Sequence, residues 1–234
     1  MAIDIVPELL ENIQRDFNTA INRNKKIQSI QKMIENGTAT YREANEYAVE
    51  VGQELAKVFK KHIKSDVLPD GKMYYNIAER ILNPTLSNNH VIVARVATEI
   101  QNQLNKSIGL GLKGIEPSVN QLRIESIINR ITQEEVFDDV SWILQEPIVN
   151  FTQSVVDDTI KANVEFQGES GLSPQIVRTA HGNPTCDWCR SIAGVYKYPN
   201  TPADVFKRHD RCRCIVEYNP GEARKQDIWT KEWR

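Results

Sequence analysis

All four cysteines of this 234-residue chain fall between positions 186 and 214, and the first 185 residues contain none. Disulfides that hold a scaffold together are spread along a chain; thiols gathered in one short stretch point to one local site. The stretch reads Cys186-Asp187-Trp188-Cys189 and, further on, His209-Asp210-Arg211-Cys212-Arg213-Cys214. A Cys-x2-Cys turn sets two sulfurs on one side of a tight loop, and His209-x2-Cys212 can form a similar turn. Cys212 and Cys214 stand two apart in a stretch that alternates like a strand, so their side chains are expected on one face. Zinc takes four nitrogen or sulfur ligands in a tetrahedron, with Zn–S bonds of about 2.3 Å. Five donors are therefore one more than needed. The spacing favours Cys186, Cys189 and Cys212, with His209 or Cys214 as the fourth. Disulfides formed outside the cell and unliganded thiols are the competing readings.

The charge divides at the same place. Residues 1–174 hold 18 Lys/Arg and 24 Asp/Glu, a net −6, whereas residues 175–234 hold 11 and 7, a net +4. Half of the ten prolines fall from Pro174 onward. The segment Gly168-Glu169-Ser170-Gly171-Leu172-Ser173-Pro174 reads as a linker. The expected organisation is an α-helical region over 1–172 and a zinc-binding β-rich module with a tail over 173–234. An overall charge of −2 excludes a basic coat for nucleic acid as the main design. With 40% hydrophobic residues the chain can bury a core, yet no apolar run nears the ~20 residues of a membrane span. The start, Met1-Ala2-Ile3-Asp4-Ile5-Val6-Pro7, lacks the basic segment of a secretory signal, so synthesis and retention in the cytoplasm are expected.

The first region carries helical periodicity. Ala44, Ala48, Val51, Leu55, Val58 and Ile63 recur at three-to-five-residue steps, and Thr40 with Glu43 forms a capping box ahead of them. The pattern predicts further helices over 6–22, 24–35, 72–82 (ended by Asn83-Pro84), 87–107, 119–131, 136–145 and 147–166. Together they imply a mainly α protein: a helical bundle, compact or elongated, followed by the small β-rich module. In that module 175–180, 194–198 and 212–218 read as strands.

The metal would be structural. Three short strands bury too little apolar area to stand alone, and a zinc site can contribute ~10–16 kcal/mol of apparent binding energy to such a fold. Arg190, Lys207, Arg208, Arg211 and Arg213 surround the donors. They can offset thiolate charge or touch phosphate or an acidic partner, although a basic cluster is more often a solvated face. His62 is expected to be solvated, His90 helical surface or a satisfied core group, and His181 an ordinary loop residue. Asp138-Asp139 and Asp157-Asp158 are expected as helix-surface charges. Trp229 and Trp233 read as packing residues of the tail. No phosphate loop, dinucleotide fingerprint, nucleophile elbow or His-Glu-x2-His is present.

The run Cys186-Asp187-Trp188-Cys189, then Ala193-Gly194-Val195-Tyr196, then Val205-Phe206-Lys207-Arg208-His209-Asp210-Arg211-Cys212-Arg213-Cys214 resembles the minor head proteins of tailed bacteriophages, the Mu F-like head morphogenesis family. Their signature is a Cys-x2-Cys, a short strand with glycine, and a closing His-x2-Cys-Arg-Cys. Asp210 stands where many members have proline. The resemblance covers residues 176 to the end; the helical region fits it only in general character. It implies a non-enzymatic, low-copy minor capsid protein acting in head morphogenesis, DNA packaging or ejection. Its partners would be the portal protein, the major capsid protein or packaged viral DNA, with no membrane and no small-molecule substrate. Its place would be the virion, at the portal vertex or inside the capsid, after assembly in the host cytoplasm. Some longer relatives carry toxin or ADP-ribosyltransferase domains beyond this module, and none is expected here. The alternative is a metal-supported nuclease or transferase ejected with the DNA, with His181, His209 and Arg178 as a phosphate-cleaving cluster.

Overall fold

The computed structural model describes residues 4–182 and 186–221. The protein is mainly helical, with one small sheet near its C-terminal end. Among the described residues seven α-helices run over Val6–Arg23 (α1), Lys25–Glu35 (α2), Tyr41–His62 (α3), Tyr75–Ser107 (α4), Gln121–Ile131 (α5), Glu146–Glu169 (α6) and Asp187–Ser191 (α7). Gln175–Thr179 (β1), Gly194–Lys197 (β2) and Ile215–Asn219 (β3) form an antiparallel sheet in the order β2-β1-β3. Ile176 faces Tyr196 on one side and Tyr218 on the other. Trp229 and Trp233 lie outside the described residues.

Local chemistry sets the helix ends. Glu43 accepts from the Thr40 N–H at 2.7 Å, the returning half of the capping box, while the Thr40 hydroxyl accepts from the Arg42 N–H at 3.2 Å, one residue short of the position the box specifies. The Asn24 side chain accepts from the N–H groups of Lys26 and Ile27, starting α2 directly after α1. Gly109 closes α4 with φ +73°, and the next N–H, of Leu110, returns to the Asn105 carbonyl at 2.8 Å.

Two helix assignments need correction. Pro84 does not end a helix: α4 runs through it. Ile77, Ala78, Ile81, Leu82 and Leu86 are buried on both sides of the proline, so packing outweighs the one hydrogen bond the ring removes. Residues 136–145 are not an α-helix but two 3-10 turns, Phe137–Asp139 and Ser141–Leu144, which bury Phe137, Ile143 and Leu144. Their apolar positions fit a tighter winding as well as an α-helical one.

The chain divides into two compact units. One comprises residues up to Lys32, Glu46–Val93 and Ser118–Gln153; the other comprises Met33–Asn45, Ala94–Pro117 and the chain from Ser154 onward. The change at 172/173 is thus a change of secondary structure, while the sheet shares its unit with helical segments.

In the first unit α1 buries Val6, Leu9, Ile13, Phe17 and Ile21. Gly52 of α3 marks a close approach to α6: a Cβ there would lie 2.9 Å from the Val149 Cα and 3.0 Å from the Thr152 hydroxyl oxygen. His62 is not solvated; its Nε2 lies 2.8 Å from an Asp16 carboxylate oxygen that also takes Lys61. The two neighbours hold the Asp16 carboxyl down at about 2.

The second unit is tied together by buried polar groups. Tyr41 donates to Gln101 at 2.7 Å, Gln101 and Gln167 both donate to Asn105, and Tyr218 of β3 donates to Gln167. Burial pushes the Tyr218 phenol up to about 12. Asn163 brackets Ile115, accepting from its N–H and donating to its carbonyl, which fixes the 108–117 loop. Asp157 is not a surface charge. Its side chain is 1% exposed and receives Arg208 through two bonds, of 2.6 and 2.8 Å.

Two changes test this packing. Gly52→Ala should lower stability in urea unfolding: overpacking costs about 1–3 kcal/mol, and this outweighs the ~1 kcal/mol of helix propensity that alanine brings. Asp157→Asn should cost about 3–5 kcal/mol by leaving a buried guanidinium uncompensated, read as a lower urea midpoint.

Candidate metal centre

Both halves of the cysteine stretch are tight turns. Cys186 caps α7, its sulfur accepting from the Cys189 N–H at 3.3 Å. Cys189 is buried inside the same helical turn. In the second half the Cys212 N–H returns to the His209 carbonyl at 3.2 Å, with Arg211 at φ +54° between them. A non-glycine residue with that φ is uncommon and is retained where the surroundings demand the turn. Cys212 and Cys214 were expected on a strand. They precede it instead, because β3 begins at Ile215, and both are buried.

These turns bring the five donors together. Cys186, Cys189 and His209 have ligand atoms within 4.8 Å of one another, as do Cys189, Cys212 and Cys214. Cys189 belongs to both groups. The Cys189 and Cys212 sulfurs lie 4.0 Å apart, against about 3.8 Å for the edge of a tetrahedron with 2.3 Å Zn–S bonds. His209 Nε2 sits 2.8 Å from the Cys189 sulfur and 3.2 Å from that of Cys186. Its Nδ1 lies 2.5 Å from the Asp210 carbonyl oxygen. A carbonyl can only accept, so the Nδ1 position carries the proton and Nε2 presents its lone pair to the sulfurs. An outer hydrogen bond that fixes the ring in this way is the usual companion of a metal-binding histidine. The cluster is compatible with metal binding.

The thiols are unevenly poised. A hydrogen bond from the Cys212 thiol pulls Cys214 down to about 7, and the same bond with burial pushes Cys212 up to about 12. Burial raises Cys189. Metal uptake by these groups displaces the thiol protons.

Of the five basic residues expected around the donors, Arg208 is withdrawn from the surface, its side chain 3% exposed. Besides Asp157 it donates to the Cys214 carbonyl at 2.8 Å and to the Asn45 side-chain oxygen at 3.1 Å. It therefore positions the donor loop and cannot reach phosphate. Arg190 pairs with Asp187, Lys207 with Asp204 and Arg211 with Asp210, all at exposed positions. Arg213 donates to the Cys212 carbonyl at 3.0 Å. His181 is an exposed loop residue, as expected. The Arg178–His181–His209 phosphate cluster does not assemble as an open site, because Arg178 is fully buried.

Asn45 and Trp188 belong to the site besides the donors and basic residues expected from the sequence. Trp188 meets His209 edge-on at 5.7 Å between ring centroids and covers the buried Cys189, Cys212 and Cys214. Its position inside the Cys-x2-Cys loop was the available signal. Asn45 carried none. No described helix is long and apolar enough to cross a membrane. No protein-family description, curated protein or solved structure matches this chain.

Replacing Cys189 by serine should weaken metal binding by more than the roughly 10–100-fold that loss of an outer-sphere partner costs, because this sulfur is common to both donor groups. Affinity measured by chelator competition should rise with pH, since the thiols must release protons on binding.

Proposed function

We propose that the cluster holds one structural zinc ion, and that the chain is a non-enzymatic minor head protein of a tailed bacteriophage. The observation that carries the metal reading is the convergence of two turns, Cys186-x2-Cys189 and His209-x2-Cys212, on two groups of donor atoms that share Cys189. Cys186, Cys189, His209 and Cys212 are the ligands in this reading. Cys214, fully buried and with its carbonyl held by Arg208, lies behind them and supports Cys212. Zinc fits because the donors are thiolates and one imidazole, the set that it prefers in closed structural sites. The sheet beside them has three strands of four or five residues, a small core for which metal binding adds folding energy.

The head-protein reading is supported by motif order: a Cys-x2-Cys, a strand beginning at Gly194, and a closing His-x2-Cys-Arg-Cys. In it, the helical part contacts the portal or the inner capsid. Arg190, Lys207 and Arg211, whose exposed ion pairs are weakly held, face packaged DNA or an acidic partner.

Purified virions test the function directly. The chain should be detected in the particle at low copy, and deletion of its gene should yield defective heads; absence from particles together with normal heads would refute the head role. Elemental analysis of the purified protein should give about one zinc per chain. Cys186→Ser, Cys189→Ser, His209→Ala and Cys212→Ser should each lose the ion, whereas Cys214→Ser should retain it with reduced affinity.

A further inference from the structure

β1 alternates between inward and outward positions. Ile176 and Arg178 are buried, while Val177 is half-buried and Thr179 exposed. An arginine thus occupies an inward position that the pattern of a half-buried strand reserves for an apolar side chain. Arg178 is 1% exposed. One of its terminal nitrogens donates to the Val205 carbonyl, the other lies 3.8 Å from the Cys212 sulfur, and its Nε has no partner. The guanidinium carbon stands 5.6 Å above the Trp188 ring. None of these neighbours is a carboxylate, and Arg178 makes no ion pair among the described residues. The contrast with Arg208 is direct. That buried cation is neutralised by Asp157, while Arg178 meets no acidic side chain among the described residues. A buried charge without a counter-charge is costly, and among those residues the anionic group within its reach is the thiolate of Cys212.

We infer that Arg178 is the electrostatic counterpart of the metal centre: its buried guanidinium balances the negative charge of the metal–thiolate group through Cys212. The inference rests on the cluster holding a divalent ion. Three thiolates, a neutral imidazole and a divalent cation sum to −1, which one guanidinium cancels. Arg178 thereby favours the ionised sulfurs over the thiols and makes the buried centre neutral overall. It draws electron density from the Cys212 sulfur by N–H···S bonding, the outer-sphere role that tunes a metal's ligands. Trp188 completes the arrangement by stacking on the cation without competing for its charge. Arg178 is a positioning residue, acting on the ion through Cys212.

The test uses the full chain, titrated with Co²⁺ and then displaced with Zn²⁺. Arg178→Met should weaken Co²⁺ binding by about 10–100-fold, while Arg178→Lys, which keeps a point charge but loses the planar fork, should bind Co²⁺ more tightly than Arg178→Met. The sulfur-to-cobalt charge-transfer band should move to longer wavelength in Arg178→Met, because the thiolate loses its cationic neighbour. That spectral shift would not follow from lost packing alone. If the unsubstituted chain takes up no cobalt, this inference and the metal reading both fail. If it binds cobalt, but Arg178→Met binds equally tightly with an unmoved band, only this inference fails. Should Arg178→Met not fold, as judged by far-ultraviolet circular dichroism, Arg178→Lys decides. Retained affinity supports the charge role, and a loss of tenfold or more overturns it.

Discussion

Arg208 stands one residue before His209, donates to the carbonyl of Cys214, and is neutralised by Asp157 within α6. This one side chain fixes both ends of the second donor turn. A buried, bidentate arginine–carboxylate pair is geometrically demanding. It earns its place by specifying an arrangement, since its net contribution to stability is small once desolvation is counted. Asn45 fills the remaining donor direction, so the guanidinium is held on three sides. The loop that carries His209, Cys212 and Cys214 has almost no regular secondary structure of its own. Its shape is imposed by Asn45 and Asp157, helical residues of its own unit.

The same unit shows two ways of accommodating a buried cation. Arg208 meets a carboxylate, whereas Arg178 meets sulfur, a carbonyl and an aromatic face. The first holds the donor loop onto the helices, and the second sits directly against the donors. A chain of amides and phenols, Tyr41–Gln101–Asn105–Gln167–Tyr218, extends the polar interior into the helices. Such networks are strong only when their members are satisfied, which makes this core intolerant of single polar changes.

The helices were legible because their signals are local. Apolar periodicity, the Thr40–Glu43 box and the glycine at 109 each act within one or two turns of chain. Pro84 misled because its local penalty is real but small beside the burial of Ile81, Leu82 and Leu86 around it. Residues 136–145 misled because α and 3-10 windings place nearby apolar residues similarly. The strands were placed correctly to within a few residues, except that the alternation ahead of β3 belongs to a turn. Asp157 and Arg208 were read as solvated because a charge is normally exposed; each is buried only because the other is there, fifty-one positions away.

The sequence alone determined the composition of the centre. Five sulfur and nitrogen donors, in two short turns near one end of the chain, follow from spacing. It also determined that the rest would be helical, since 3.6-residue periodicity is a property of neighbours. Only the tertiary structure decided which charges are buried, which donors converge, and that the donor loop belongs with helical segments far from it in sequence. The reason is physical: helix and turn propensities act over a few residues, while the desolvation and pairing of Arg178, Arg208 and Asp157 depend on elements that only the folded chain brings together.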